Sequence, residues 1–308
     1  MRNIDFFVAG WPKTGSTSLH YYLGQHPDIF MSKVKDNYFY STDIIADCDE
    51  HGMGRYYKQR TEEDYVGIFD GANEENVWGD SSVFYTISEV ALDRIKEAHP
   101  NAKIIVVLRD PIELLDSWFW YLKQNARESA ESLEEALDLQ DRRKVGECIP
   151  PNTQAPIHLQ YDKIIDFPGG FERIFKCFDK SAVKITFYDD FKQNREKFIA
   201  DLFDFLDVRN DFCPDFTERN VSRKIKFRRV KSFVDRHRGK IIAATKVLGL
   251  YGKRSAIQKF YVGLFTLNKK RESVSAERRR LLRERCNPMV KRTSELLDVD
   301  LESMWGYK

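Results

Sequence analysis

The stretch FFVAGWPKTGSTSLHYYLGQHP, residues 6–27, decides the fold. Its opening, with Ile4 and Asp5 before it, is an apolar and aromatic run that ends on Gly10, the pattern of a buried strand. Apolar residues at helical spacing follow at Leu19, Tyr22 and Leu23, and Gly24 and Pro27 close that helix. Strand, glycine turn and helix in this order put the turn at a helix N-terminus, where free N–H groups and the dipole favour an anion. The polar residues of the turn fit that role. Lys13 is a mobile cation, Gly15 admits a close backbone approach, and Thr14, Ser16, Thr17 and Ser18 supply hydroxyls. A nucleoside-triphosphate loop has its lysine after the last glycine, whereas Lys13 precedes Gly15. The turn therefore fits either an anion other than a nucleoside triphosphate or a plain helix cap.

Outward from this unit, strands are expected at 76–80, 102–110 and 182–191. The second is almost wholly β-branched and apolar, as a central parallel strand is. Helices are expected at 87–98, from Pro111 to about Arg127, over REKFIADLFDFL, and from Ala276 to Leu297. The alternation predicts an α/β fold of three layers, P-loop-like, with a central mainly parallel sheet between helices and a basic helical C-terminal region. Residues 139–170, with Pro150, Pro151, Pro156 and Pro168 and little periodicity, read as an insertion over the sheet. One domain is expected over 1–308: an α/β nucleotide-binding core to 206, and a basic region, 207–308, closing over the site.

Composition narrows the function classes. With 42% hydrophobic and 32% charged residues the chain is of the globular kind. The beginning shows no apolar leader, and the run FYVGLFTL is too short to cross a bilayer. Cys48, Cys148, Cys177, Cys213 and Cys286 form no C-x-x-C pair and read as reduced thiols, which implies a cytoplasmic protein. No H-x-x-x-H or clustered carboxylate motif calls for a metal. Residues 221–285 hold 21 Lys and Arg against 4 Asp and Glu, whereas the rest holds 29 against 44. Such asymmetry fits either an anionic partner or a basic helical region packed on an acidic body. Residues 239–271 mix apolar and basic side chains and fit either packing or peripheral contact with the inner face of a membrane.

A second motif, VVLRDPIELLDSWFWYL at 106–122, puts Arg109 at the carboxyl end of a buried strand, where open α/β sheets bind ligands, and Ser117 two turns into the next helix. Taken alone, Arg109 could equally pair with Asp110 or another local carboxylate. The two motifs together resemble the sulfotransferases that use 3′-phosphoadenosine-5′-phosphosulfate. PKTGSTSL is similar to that family's P-K-S-G-T-T-S-L loop, and LRDPIELLDSWFWYL to its L-R-D-P…S…Y segment. KDNYFY (35–40) is similar to K-E-x-x-F-F, GDSSVFY (79–85) to G-E-x-[ST]-P-x-Y, FYDDFKQN to Y-E-D-L-x-x-[DN], and LLDVDLESMW to the D-L-x-x-W close of bacterial members. The match covers residues 4–206 and, more loosely, the last thirty.

What the resemblance implies is specific. Lys13, Thr14, Gly15, Ser16, Thr17 and Ser18 would grip the 5′-phosphosulfate, with Lys13 meeting the charge that grows on the leaving oxygen. Arg109 and Ser117 would bind the 3′-phosphate, Tyr188 would lie near the adenine, and Arg223, in RNVSRK, would belong to a loop closing over the nucleotide. Asp36 is the implied base, with Lys35, Asp80 and Ser81 on the acceptor side and Asp80 the second choice of base. The reaction would be sulfonate transfer to a hydroxyl, or to an amine, of a saccharide, glycolipid or small natural product. The products would be the sulfated acceptor and adenosine 3′,5′-bisphosphate, with no metal and no nucleic-acid partner. The chain departs from the family at Asp36 (usually Glu), Trp11 (usually smaller), Ser82–Val83 (usually with Pro) and Leu114 (usually Arg). His20 is a rival base on chemistry alone, but its helical position beside Tyr21 and Tyr22 favours a packed histidine; His26 fits a turn. A P-loop kinase and an anionic-surface-binding protein are the readings of other classes. The first lacks GK[ST]; the second lacks a binding module.

Overall fold

The computed structural model describes residues 3–73, 77–217, 224–225, 266–267 and 276–308. Five parallel strands form the central sheet: β1 (Phe6–Gly10), β2 (Ile29–Met31), β3 (Val77–Ser81), β4 (Lys103–Leu108) and β5 (Val183–Phe187), in the order β2-β3-β1-β4-β5. β1 lies at the centre, with Phe6–Val8 opposite Gly79–Ser81 and Phe6–Gly10 opposite Lys103–Val107. From β1 the chain jumps to the edge strand β2, returns inward through β3 beside β1, and then crosses to β4 and β5 on the other side. The winding therefore reverses between β1 and β4, and the crevice at their carboxyl ends is where such sheets take ligands.

Both faces of the sheet are covered, which is why its strands are apolar throughout. Phe6, Val8, Ile105 and Val107 point to one face and meet Leu19 and Leu23 of α1 (Ser16–Leu23). Phe198, Ile199, Leu202 and Phe203 of α11 (Arg195–Phe205) join them there. Phe7, Ala9, Ile104, Val106 and Leu108 point to the other face, where α4 (Ala91–Ala98), α5 (Pro111–Gln124) and α9 (Phe167–Cys177) pack. Gly79 has to be glycine: a Cβ there would stand 2.2 Å from the Phe6 ring.

The structure shifts several expected boundaries. The strand expected at 182–191 stops at Phe187, and Tyr188–Gln193 form α10, a helix with Asp189 and Asp190 in its first turn. Carboxylates there favour a helix start. The helix expected from 87 begins at Ala91. The insertion at 139–170 is largely helical: α7 (Gln140–Lys144), a 3₁₀ turn (Pro156–Leu159), α8 (Tyr161–Ile164) and the start of α9. Helices of four or five residues are too short to show periodicity. A buried ion pair pins this region, Arg143 donating to Glu128 at 2.5 and 2.9 Å while the Tyr161 hydroxyl donates to Glu128 at 2.7 Å.

The C-terminal helix, α12 (Ala276–Leu297), follows the expected bounds and packs Leu282, Cys286 and Val290 into the second face. Its arginines pair with the acidic body: Arg278 with Glu134, Arg279 with Glu113, Arg285 with Asp162 and Arg292 with Glu172. For these residues the charge asymmetry is met inside the protein. Most of the basic stretch, including 226–265, lies outside the described residues.

Removing one member of a buried pair strands the other charge. Arg143→Met should lower the unfolding free energy by about 3 kcal/mol, read from urea midpoints at constant slope. An unchanged midpoint would show that Glu128 finds another partner.

Candidate active site

β1 runs into a tight turn, and the turn runs into α1. Lys13 (φ 66°) and Gly15 (φ 89°) both adopt the left-handed conformation, which turns the chain sharply enough to aim the α1 N-terminus at the crevice. Gly15 stands at the N-cap, no side chain caps the helix, and its first turn carries no acidic residue. The amides of that turn are accordingly presented to an incoming anion. A Cβ on Gly15 would come within 3.1 Å of the Tyr188 ring, so a side chain there would crowd that ring in addition to straining φ. Thr14 turns the other way: it is buried, and its hydroxyl donates to the Trp11 carbonyl at 2.9 Å. Its part is to hold the turn.

Arg109 follows β4 and reaches across to β1. Its guanidinium donates to the Lys13 carbonyl at 2.8 Å, stacks on the Tyr188 ring with Cζ 4.6 Å from the centroid, and lies 3.6 Å from Glu113. The local ion pair that was the alternative for Arg109 therefore exists, but it leaves the arginine in the cleft wall. Ser117 lines the same cleft from α5. So do Trp118 and Tyr121, and the Lys13 ammonium sits 4.8 Å from the Tyr121 centroid.

The opposite wall is the loop after β2. Asp36 (φ 53°) and Tyr38 (φ 63°) are again left-handed, a conformation that costs non-glycine residues and collects at functional sites. Lys35 Nζ lies 2.6 Å from one Asp36 oxygen, and the Val83 amide donates to the other at 3.3 Å. Beneath the loop, Asp80 is fully buried and accepts from Ser32, Asn37, Tyr65, Tyr85 and the Ser81 amide at 2.7–3.1 Å. Burial pushes its carboxyl above the usual range. Asp80 and Ser81 are closed off from the cleft, so the acceptor-side role expected of them gives way to one of anchoring the Asp36 loop. A strand-end position placed them near the crevice; only packing shows that they lie under its floor.

The cleft, about 470 Å³, brings together Lys13, Gly15, Ser16, Thr17, Ser18, Lys35, Asp36, Arg109, Ser117 and Tyr188. Arg223 lies outside the described residues. The far half of the cleft is aromatic and was not foreseen: Tyr38, Tyr56, Tyr57, Phe84, Trp118, Tyr121 and His158, with Gln154 and Arg127. Tyr121 falls one helical turn beyond Ser117, a spacing that would have flagged it; Tyr57, Gln154 and His158 arrive from distant segments. His20 is driven to about 4 by burial and, next, by Lys35, which leaves it a neutral packed group. No group of three His, Cys, Asp or Glu arranged to hold a metal occurs among the described residues.

Residues 3–241 match the sulfotransferase domain family. The chain belongs to this family of transferases. Among curated relatives it is 25% identical over 251 residues to carbohydrate sulfotransferase 15 of Homo sapiens, covering 66% of this chain and 43% of that one. It is 26% identical over 170 residues to the membrane-associated sulfotransferase kil1 of Dictyostelium discoideum, covering 54% of this chain and 34% of that one. Over 114 residues it is 27% identical to the human bifunctional heparan sulfate N-deacetylase/N-sulfotransferase 2, covering 37% of this chain and 12% of that one. The chain thus spans less than half the length of these relatives. The fold is that of a sulfotransferase from Alicyclobacillus acidocaldarius, with a TM-score of 0.72 at 24% identity and 99% of both chains covered.

Three histidines are held neutral by burial, His20 and His99 at about 4 and His158 at about 3. His99 accepts from the Ile4 amide and meets the Tyr40 hydroxyl, so a second ring proton would break the first bond. A histidine whose pKa falls on folding stabilises fully above its unfolded value of 6.5, and that contribution is lost as the pH drops towards 4. Stability should therefore decline from pH 6.5 to 4, and His158→Gln should reduce the slope by about one proton. An identical slope in the variant would mean that His158 already titrates freely in the fold.

Proposed function

We propose that this chain transfers a sulfonate group from 3′-phosphoadenosine-5′-phosphosulfate to a saccharide hydroxyl, releasing adenosine 3′,5′-bisphosphate. The observation that carries the reading is the meeting, in one cleft, of the Lys13–Ser18 helix start, the Arg109 and Ser117 wall and the Lys35–Asp36 pair. The α1 amides without a side-chain cap, and a turn that Gly15 keeps narrow beneath Tyr188, support an anion seated there. Names of relatives that act on carbohydrate and heparan sulfate support a saccharide acceptor. A glycolipid or small natural product, or an amine in place of the hydroxyl, would fit the same chemistry.

When bound, the donor supplies an S–O bond to a phosphate oxygen that breaks as the acceptor oxygen bonds sulfur. Lys13 and the α1 amides hold the charge that develops on the departing oxygen. Arg109 and Ser117 anchor the second phosphate, while Tyr188 holds Arg109 by stacking and flanks the adenine. Asp36 takes the acceptor proton, and Lys35 keeps its carboxylate oriented; each Asp36 oxygen already accepts one bond and retains a lone pair for the proton. Arg223, which the family resemblance assigns to the nucleotide, lies outside the described residues. No metal enters this scheme, because lysine and helix dipole supply the positive charge.

A cytoplasmic protein touching a membrane face through 239–271 is a second reading, favoured by the composition of that segment and by the name of the membrane-associated relative. No helix among the described residues is long and apolar enough to cross a membrane. Flotation with anionic liposomes, with and without 239–271, tests the contact.

A charge-assisted contact contributes roughly 1.5–3 kcal/mol. Arg109→Ala should therefore weaken binding of adenosine 3′,5′-bisphosphate at least tenfold in calorimetry; unchanged affinity removes Arg109 from the site. Lys13→Ala should cut turnover by two orders of magnitude or more with little change in acceptor KM, and a normal rate would sink the mechanism. Thermal stabilisation by ATP with Mg²⁺, but not by the bisphosphate, would favour the kinase reading instead.

A further inference from the structure

Arg127 enters the cleft by an unusual route. α5 ends at Gln124, and Ala126 then takes a left-handed φ of 55°, which folds the chain back so that Arg127 returns over the helix it has just left. Its amide donates to the Leu122 carbonyl at 2.9 Å, and its own carbonyl accepts from the Thr153 hydroxyl at 3.4 Å. The half-buried side chain lines the cleft. Its guanidinium meets Tyr121, donating to the hydroxyl at 3.1 Å with Cζ 5.7 Å from the ring centroid.

No carboxylate among the described residues pairs with it. Glu128, next in sequence, is turned inward and consumed by Arg143 and Tyr161. Other arginines of this part of the fold are paired, Arg109 with Glu113 and Arg142 with Glu147. A guanidinium carries five N–H donors and cannot shed its charge, so one phenol leaves most of its fork unused. The strained turn at Ala126 thus holds a cation that no carboxylate among the described residues neutralises, in a cleft whose remaining far-end lining is neutral, mostly aromatic with Gln154.

We infer that Arg127 selects an acceptor bearing a carboxylate or a sulfate close to the hydroxyl that is sulfated. Lys13 and Arg127 both stand against the Tyr121 ring, at 4.8 and 5.7 Å from its centroid, so that ring alone separates the transfer point from the selecting cation. The acceptor's anion therefore lies on the same sugar ring as the accepting hydroxyl or on the adjacent one. Tyr56, Tyr57, Phe84 and Trp118 supply apolar faces for those rings, and Arg127 supplies the bidentate contact that a neutral sugar cannot use. The inference rests on the sulfonate-transfer reading of the cleft.

The test measures transfer of labelled sulfonate to a glucuronate-containing oligosaccharide, to its carboxyl-reduced form, and to a sulfated oligosaccharide free of uronate. Each is assayed with wild type, Arg127→Gln and Arg127→Lys, and binding of adenosine 3′,5′-bisphosphate is measured calorimetrically for all three proteins. Wild type should prefer an anionic probe at least tenfold over the carboxyl-reduced one, with the difference in KM. Arg127→Gln should bring the anionic probe down to the neutral level, Arg127→Lys should keep part of the preference, and bisphosphate affinity should stay within twofold. The better of the two anionic probes identifies the group as carboxylate or sulfate. Equal use of charged and neutral probes by wild type overturns the inference. So does an equal loss on both in Arg127→Gln, which would mark Arg127 as packing for Tyr121. Tight bisphosphate binding with none of the saccharides sulfated also overturns it. Failure to bind the bisphosphate at all would instead bring down the sulfonate-transfer reading beneath it.

Discussion

The hydrogen bond from the Arg109 guanidinium to the Lys13 carbonyl joins the carboxyl ends of the two central strands. It is possible only because β1 and β4 are neighbours and parallel, which brings two loops far apart in sequence to the same edge. Lys13 is in a left-handed conformation that its side chain disfavours, and the Arg109 contact helps to hold it there. Tyr188, from the end of β5, closes the arrangement by stacking on Arg109 and capping the space above Gly15. Three strand ends thus fix one lysine, and the remaining walls of the cleft are arranged around it.

Charge is handled differently at the centre and at the edge. Asp80 and Glu128 are carboxylates taken fully out of water, each saturated by several donors, and each secures a wall of the cleft. Such groups stabilise little in themselves, because burying a charge costs about as much as its contacts return, but they tolerate few alternative arrangements. The surface pairs between α12 and the body are exposed and individually weak. One of them has a longer reach: Arg279 holds Glu113, and Glu113 lies against Arg109, so α12 is linked to the Arg109 wall of the cleft through a single carboxylate.

Much of the Lys13–Arg109 half of the cleft was legible beforehand. A buried strand, a glycine-containing turn and an amphipathic helix are local patterns, and the residues between them fall where the pattern puts them. Arg109 and Ser117 were legible for the same reason, one at a strand end and the other on the helix that follows. The failures have equally local causes. Asp80 ends a strand beside the crevice, but alternation along that strand cannot reveal that the Asp36 loop covers it. Residues 188–191 read as strand because Tyr188 and Phe191 extend the aromatic end of β5 on either side of two carboxylates. The short helices at 140–164 give no period to detect.

What the sequence determined by itself is the doubly covered parallel sheet and the strand–turn–helix unit at its centre, since both follow from near-neighbour spacing and from apolar runs that need two buried faces. The aromatic far half of the cleft was decided by tertiary structure. Tyr57 and Phe84 come from loops far from α5 in sequence, and Gln154 and His158 join Tyr121 because the region after Arg127 folds back over α5, where the buried Glu128–Arg143 pair holds it. The orientation of Arg127 belongs to this second class. Its neighbour in sequence is a glutamate, and only packing shows that the glutamate is already taken.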